Sequence, residues 1–504
     1  MRRSILKDTV LLTLMQMLLD GLALGVNVLL NAKLGAEGIG VLTLAASFFR
    51  LACMIAGGNA FLCVSRFVSE ELGKPLRHPA GILRHCIFVS MTLSCVTMLA
   101  VCLFAEALGA KFLHDASLTA PIRHMAYVLP CVTLAACMKG WCNALCKAGL
   151  CAAADGVEFA LHSGFMVIVA VLFQPQKASV LCDLTAWSSG IASVGEILFL
   201  LLFLPKLRAG RTGAVSLNIW GYFRLAVPVM AGSALTSGLS AANDALVPFT
   251  LRQAGNSAAE ALSQFGIFEA MILPTLFFPS TILCSLAGIL VTEIARAHMA
   301  GESERIRSLS MRTICRTIGF SVFVTLILLT FGDEIGVLLG GGEIAGRMIR
   351  LLAPVVPFIY LEIVLESIIK GMGAQVFSSL NYLCEYAVRI SIVLVCIPLM
   401  GFYGIVLSYY ASNILGNTAR LIVVFRRTGM RFDAVRLVMI PLFAAVVSTQ
   451  VSRAGFLLLR AEPGSGILAM LLYTLLCGSL YAGCLFLLEG KKIPRRVSCG
   501  GACD

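Results

Sequence analysis

Ionisable side chains lie inside long apolar runs of this sequence, where a charge is energetically costly. Near the centre of a bilayer that cost is roughly 2.5–3.5 kcal/mol, so such residues normally face protein or a water-filled cavity. Their chemistry would then be the binding of ions or charged ligands. The residues concerned are Asp20, Asn27, Arg50, Lys139, Asp155, Glu158, His162, Asp244, Glu269, Glu362, Glu366, Lys370, Glu385 and Arg389.

The spacing of these residues indicates which could pair within one helix. Two pairs lie four residues apart and can form ion pairs along a helix face: Glu366–Lys370 and Glu385–Arg389. Such pairs either join neighbouring helices or line a cavity, and spacing alone leaves both interpretations open. Arg50 and Asp244 have no partner at helical spacing, which favours a position in the wall of a cavity.

The composition indicates the kind of element that must hold these residues. Of 504 residues, 59% are hydrophobic and 13% are charged, whereas a soluble domain carries about 25% charge. This excludes a soluble globular protein and a disordered chain. Apolar runs of spanning length predict an all-α polytopic membrane protein with about fourteen transmembrane helices.

Basic residues recur in alternate loops between the apolar runs, and this pattern predicts the orientation. By the positive-inside rule both termini are cytoplasmic, and we expect a multi-pass protein of the bacterial cell membrane. The net charge of +12 follows from these loops, so we expect no nucleic-acid partner.

Motifs of enzymes and metal sites are missing from the sequence. It contains no phosphate-binding loop, no H-E-x-x-H motif and no G-x-S-x-G elbow. A membrane-embedded glycosyl- or acyltransferase would need a catalytic acid and base near a loop, and none is evident. We therefore expect no enzyme activity, no cofactor and no metal site.

An internal repeat predicts the domain organisation. Lys139-Gly140 ends the fourth apolar run and Lys370-Gly371 ends the tenth. We expect an N-lobe of six helices at 1–210, a C-lobe of six at 211–432, two further helices at 433–490 and a cytoplasmic tail at 491–504. Prolines predict breaks in the eighth and tenth spans, at Pro274, Pro279, Pro354 and Pro357.

Several stretches resemble one known family. They are K-L-G-A-E-G-I-G-V-L-T-L-A at 33–45, V-S-R-F-V-S-E-E-L-G-K at 64–74, M-I-L-P-T-L-F-F-P at 271–279 and K-G-M-G-A-Q at 370–375. They are similar to the stage V sporulation protein B family. That family belongs to the polysaccharide-transporter branch of the superfamily that contains multidrug and toxin extrusion pumps.

This resemblance implies two six-helix lobes around a cleft, and translocation of undecaprenyl-linked sugars. A carrier pyrophosphate needs cationic partners, and arginine suits bidentate phosphate contact. Arg50 and Arg252 are the first candidates for this role, followed by Arg224, Lys139 and Arg389. Lipid II flippases have a strongly cationic cleft, whereas the first span here contains Asp20 and no arginine. Candidates for ion coupling or counter-charge are Asp20, Asn27, Asp244, Glu269, Glu158, Glu362 and Glu366.

Two functions follow as hypotheses. The first is a monomeric flippase that moves a lipid-linked oligosaccharide or peptidoglycan precursor by alternating access, driven by Na⁺, H⁺ or the membrane potential. The alternative is a cation-coupled multidrug efflux antiporter of the same fold. In that case Asp20, Asp244 and Glu269 would carry the ion, and Arg50 would be structural.

Overall fold

A computed structural model describes residues 2–72, 79–108, 119–145, 147–173, 177–203, 219–430, 433–458, 464 and 466–490. Side chains are not described at 2–12, 148, 219–231, 233, 436 and 489–490. The predicted tail at 491–504 and the side chain of Arg224 therefore lie outside the described residues.

The described chain is a succession of helices. The first six are α1 (Arg2–Gly57), α2 (Ala60–Leu72), α3 (Pro79–Ala107), α4 (Thr119–Ala144), α5 (Ala148–Phe173) and α6 (Ala178–Phe203). Next come α7 (Ile219–Gln253), α8 (Ala258–Ile267), α9 (Leu273–Phe277), α10 (Thr281–Met299), α11 (Ser303–Leu338) and α12 (Gly342–Leu352). The last five are α13 (Val356–Gly371), α14 (Gln375–Met400), α15 (Tyr403–Thr428), α16 (Ile440–Leu458) and α17 (Ile467–Gly490).

The predicted all-α polytopic fold is confirmed. Eleven helical segments of the described chain have the length and apolar composition needed to cross a membrane. One of them, Thr13–Leu72, covers both of the first two predicted spans. The predicted seventh and twelfth spans correspond to α7 and α15, which form full-length helices.

Gly35 separates the first two spans within the long helix α1. Its backbone has φ 74° and ψ 168°, a conformation that glycine adopts without the steric cost of a Cβ atom. The kink lies in the stretch that resembles the known family, between two apolar runs. It lets one continuous segment cross twice, which explains why α1 is far longer than one span.

The chain forms two compact units. The first contains Met1–Ser285, Leu339–Gly341 and Ser379–Ser412, and the second contains Leu286–Leu338, Gly342–Ser378 and Asn413–Asp504. The division into lobes at 1–210 and 211–432 stays a prediction.

The predicted breaks in the eighth and tenth spans are present. Ser257 and Glu260 form a capping box that begins α8, with reciprocal hydrogen bonds of 2.9 and 3.2 Å. The helix then widens into a π-helical segment at Phe268–Ile272 and tightens into a 3₁₀ turn at Phe278–Ser280, beside Pro279. A 3₁₀ turn at Ala353–Val355, around Pro354, separates α12 from α13. Such irregular turns commonly lie at hinges and functional sites.

The two Lys-Gly pairs serve the same structural purpose. A Cβ atom on Gly140 would lie 2.7 Å from the Phe61 carbonyl oxygen, so α4 approaches α2 closely at this point. A Cβ atom on Gly371 would lie 2.8 Å from the side chain of Ile294, so α13 approaches α10 in the same way. This correspondence is what an internal repeat predicts.

A glycine contact joins α1 to α8, and substitution there should destabilise the protein. A Cβ atom on Gly40 would overlap the Leu262 carbonyl, and one on Gly266 would lie 2.6 Å from the Ala36 carbonyl oxygen. We expect Gly40→Ala to cost about 1–3 kcal/mol through overpacking, measured as a lower thermal unfolding midpoint in detergent. Gly25→Ala is the matched control, because no atom lies within 4 Å of its Cβ position. Equal midpoints for the two variants would contradict the contact.

Candidate functional site

A cavity of about 550 Å³ in the first unit brings together several of the predicted residues. Its volume falls in the usual range of small-ligand sites, about 300–1,000 Å³. The second half of α1 forms one wall, and α2 and α4 to α7 contribute the others. Six hydroxyl side chains line it in addition to the charged residues. The polar lining includes Ser47, Arg50, Thr133, Glu158, His162, Ser189, Ser193, Ser237, Ser240 and Asp244.

Arg50 and Asp244 form a linked charge pair in this cavity. The Ser47 hydroxyl donates to Asp244 Oδ2 at 2.7 Å, and Arg50 Nη2 donates to Ser47 Oγ at 2.7 Å. The direct distance from Arg50 Nη2 to Asp244 Oδ2 is 3.9 Å. The Arg50 side chain is 68% exposed and that of Asp244 only 7%. The Arg50 guanidinium is therefore exposed in the cavity. The Asp244 carboxylate is buried in the wall and is linked to the guanidinium through Ser47.

Arg389 and Glu269 lie outside this cavity lining but belong to the same charge system. Arg389 is only 13% exposed and lies 3.7 Å from Glu385. Its Nε donates to Ser412 Oγ at 3.1 Å, and its guanidinium carbon lies 4.4 Å from the centre of the Tyr409 ring. Glu269 is the second residue of the π-helical segment, and Asp244, Arg50 and Arg389 are the charged groups that act on it electrostatically.

Lys139 is surrounded by carboxylates. Its Nζ lies 3.1 Å from Asp155, 3.2 Å from Glu158 and 2.9 Å from Glu196. The Glu196 side chain is 2% exposed, whereas those of Asp155 and Glu158 are 48% and 43% exposed, so a partly buried cluster joins α4, α5 and α6. An ammonium group has three N–H donors, and three carboxylates already compete for them. The arrangement favours a structural role for Lys139 over direct contact with a ligand.

Asp20 and Asn27 contact the two irregular points of the eighth span. Thr281 donates its hydroxyl to Asp20 Oδ2 at 2.7 Å, just after the 3₁₀ turn. The Asn27 amide donates to the Ala270 carbonyl at 2.9 Å, within the π-helical segment. A π-helical segment weakens the regular carbonyl pairing, so Asn27 supplies a partner where one is needed.

Asp20 also lines a second cavity, of about 590 Å³, in the first unit. Asp155 is the other carboxylate in its wall, and the described lining contains no lysine or arginine. This acidic lining suits a cation better than an anion. Its remaining polar residues are Gln16, Asn143, Thr281 and Ser285.

Glu362 and Glu366 lie in the second unit, around a buried arginine. Arg420 Nε donates to Glu366 at 2.8 Å, and Arg420 Nη2 donates to Glu362 at 3.1 Å. Lys370 Nζ lies 3.5 Å from Glu366, the spacing that the sequence predicts. Arg420 itself is 0% exposed. These contacts join α13 to α15 and account for the two glutamates without a ligand.

The remaining predicted cation, Arg252, lies at the last turn of α7 and is exposed. It lines neither of the two cavities described above. Of the predicted substrate-binding residues whose side chains are described, Arg50 lines the first of these cavities, and none lines the second.

Sequence reasoning missed Ser47, Glu196 and Arg420. Glu196 and Arg420 both fall inside predicted spans, so a complete tabulation of charges in apolar runs would have included them. Ser47 gives no such signal, because serine is common in helices that pack closely in membranes.

The described residues thus combine helices long and apolar enough to cross a membrane, irregular turns at prolines and a polar cavity lined by Arg50. Comparisons with known proteins identify similar sequences and folds. Residues 5–243 match the family model described as polysaccharide biosynthesis protein. Stage V sporulation protein B of Bacillus subtilis (strain 168) is 21% identical over 434 residues, which cover 82% of each chain.

Solved structures with the same fold agree. The lipid II flippase MurJ, in an inward closed conformation, superposes with a TM-score of 0.68 at 12% identity, covering 96% of this chain and 99% of that one. An inward-facing MATE family multidrug resistance transporter of the MOP superfamily superposes with a TM-score of 0.63 at 13% identity, covering 82% and 94%. The predicted resemblance is confirmed: residues 5–243 match the polysaccharide biosynthesis family model, and the chain shares its fold with the MurJ and MATE structures.

Proposed function

We propose that the protein translocates a lipid-linked oligosaccharide or peptidoglycan precursor across the bacterial cytoplasmic membrane, with both termini in the cytoplasm and without enzymatic chemistry. The observation that supports this most is Arg50, whose exposed guanidinium faces a cavity rich in hydroxyl groups. An undecaprenyl-pyrophosphate sugar carries the two groups that such a wall would recognise. These are a phosphate for the arginine and hydroxyl groups for the serines.

Arg50 is suited to reversible contact with a phosphate. One N–H bonds to Ser47, and its other N–H groups make no hydrogen bond with any residue that the structure describes. At 3.9 Å from Asp244 the guanidinium makes no direct hydrogen bond to that carboxylate, so its remaining N–H groups are available to an incoming phosphate. Asp244 then limits the affinity, which a translocation site requires if the substrate is to leave.

Alternating access would use the breaks already present in the eighth and tenth spans. The π-helical segment holds Glu269 within electrostatic reach of Asp244 and Arg50, so a bound anion at Arg50 would change the balance of charge at this break. The membrane potential, worth about 2.3 kcal/mol per charge per 100 mV, could drive an anionic headgroup outward. In this proposal Asp20, Asp244 and Glu269 are counter-charges or ion-coupling residues.

A transport assay separates this proposal from efflux. Full-length protein in proteoliposomes would receive a labelled undecaprenyl-pyrophosphate oligosaccharide in one arm and a fluorescent organic cation with a Na⁺ or H⁺ gradient in the other. We expect the sugar to become accessible to an impermeant oxidant on the opposite face, with no dye movement. Dye movement without sugar translocation would contradict the proposal.

One observation favours the alternative, a cation-coupled multidrug efflux antiporter. The second cavity is lined by Asp20 and Asp155 and has no lysine or arginine in its described wall, which suits a cation. In that function Arg50 would only neutralise Asp244. The two functions therefore differ in what Arg50 does, which substitutions can measure.

A further inference from the structure

A third cavity lies in the second unit and shares no lining residue with the two cavities described above. Its volume is about 480 Å³, and it lies where four helices begin or end. His298 comes from the last turn of α10, Ser303 from the start of α11, Met372 from the end of α13, and Arg427 from the last turn of α15. We name this the His298–Arg427 pocket. Its remaining lining residues are Gly301, Ile306 and Thr428.

The ionisable residues in the described lining of this pocket are all basic. Its described lining contains an arginine and a histidine but no carboxylate. The nearest acidic residues along the chain, Glu302 and Glu304, are already paired with Arg305 at 2.9 Å and with Arg307 at 3.6 Å. Arg427 is exposed and forms no ion pair with any residue that the structure describes. The pocket therefore offers donors and positive charge to an anion.

The floor of the pocket is rigid and apolar. Ile306 and Met372 are 7% and 5% exposed and belong to the hydrophobic core of the second unit. Gly371, which precedes the lining residue Met372, approaches Ile294 closely, and this contact packs α13 against α10. A site on such a base keeps its donors in place, which reduces the entropy lost when a ligand binds.

Apolar side chains near the pocket indicate that its surroundings are lipid. Met299, next to His298, is 87% exposed, and Ile422, five residues before Arg427, is 47% exposed. Arginines cluster around both helix ends, and the positive-inside rule assigns such clusters to the cytoplasmic side. They are Arg296, Arg305, Arg307 and Arg312 near the end of α10 and Arg426, Arg427, Arg431 and Arg436 near the end of α15. Anionic lipids are concentrated in that leaflet, and basic pockets between helix ends bind their headgroups.

We propose that the His298–Arg427 pocket binds the phosphate group of an anionic phospholipid. Arg427 contacts the phosphate, the hydroxyl groups of Ser303 and Thr428 are within the same wall, and the acyl chains lie against the exposed apolar residues of α10 and α15. This site is independent of the transported substrate, because none of its residues lines the cavity at Arg50.

Native mass spectrometry of the full-length protein in non-ionic detergent tests the proposal. The probes are phosphatidylglycerol, zwitterionic phosphatidylethanolamine and inorganic phosphate. We expect phosphatidylglycerol to bind more tightly than phosphatidylethanolamine, and Arg427→Gln to weaken it about tenfold, the loss of one strong charge-assisted contact. Arg426→Gln is the matched control, since Arg426 is exposed on the same turn but does not line the pocket.

The second variant, His298→Gln, removes the other basic group of the wall and should also weaken phosphatidylglycerol. Both variants must keep the thermal unfolding midpoint of the wild type, and if one fails to do so the other decides the question. Equal binding to the Arg427→Gln and Arg426→Gln variants would overturn the proposal. So would displacement of the lipid by millimolar inorganic phosphate, which would identify a soluble anion as the ligand.

Discussion

Replacing Arg50 by Gln is expected to lower the rate of translocation of a labelled undecaprenyl-pyrophosphate oligosaccharide at least tenfold in proteoliposomes. A hydrogen bond to a charged group contributes about 1.5–3 kcal/mol, which corresponds to roughly ten- to hundredfold in binding. Arg50→Lys keeps the charge but loses the fork of two parallel donors, so it should give an intermediate rate. Arg252→Gln is the matched control, because Arg252 is an exposed arginine outside the cavity lining.

The double variant Arg50→Gln with Asp244→Asn distinguishes contact with substrate from simple neutralisation of Asp244. If Arg50 binds the phosphate, the double variant stays as slow as Arg50→Gln, because the cationic donor is still missing. If Arg50 is structural, as the efflux function requires, removal of both charges restores transport. Loss of structure is an inadequate explanation for a slow Arg50→Gln variant, since the side chain is 68% exposed. Unchanged transport in Arg50→Gln would remove Arg50 from the substrate site.

Pairs within one helix were predictable from the sequence, and pairs between helices were not. The spacing of Glu366 and Lys370 predicts their contact, which is found at 3.5 Å. The same spacing gives no information about Arg420, which lies 54 positions from Glu366 and makes the shorter contact. Which helices are neighbours depends on the packing of glycines and small side chains, and one sequence does not reveal that.

The fold was easier to predict from the sequence than the contacts between helices, because it follows from the physics of the bilayer. Long apolar runs must be helical in lipid, since every backbone group must be paired internally. Pro279, at which the sequence predicts a break, lies in the 3₁₀ turn where that regularity ends. Only part of the candidate site could be predicted from the sequence. Arg50 and Asp244 were identified as charges without a partner at helical spacing, but Ser47, which links them, was not identified.

The two charge clusters centred on Lys139 and Arg420 show that most of the described intramembrane charges pair with one another. Lys139 is enclosed by three carboxylates, and Arg420 is held by two. Each cluster joins helices of a single unit and leaves few donors for a ligand. Arg50 differs because its partner is buried while its own guanidinium is exposed. A cation held in this way is available to a substrate, and this difference makes Arg50 the preferred candidate.

Replacing Arg420 by Met should cause the largest loss of stability of any single substitution considered. Arg420 is fully buried between Glu366 and Glu362, which are 6% and 19% exposed. Removing one partner of a buried ion pair costs about 3–5 kcal/mol, because the opposite charge stays buried without compensation. The measurement is the thermal unfolding midpoint of the purified protein in detergent, together with the yield of membrane-inserted protein.

The compensating variant carries Arg420→Met with Glu362→Gln and Glu366→Gln. It should recover most of the lost stability, since the cost arises from the uncompensated carboxylates rather than from the lost arginine itself. Arg426→Gln is the control on the same helix, where an exposed arginine should contribute less than about 1 kcal/mol. If Arg420→Met unfolds at the same temperature as Arg426→Gln, the cluster is not structural. Glu362 and Glu366 would then be the first residues to test for a role in ion coupling.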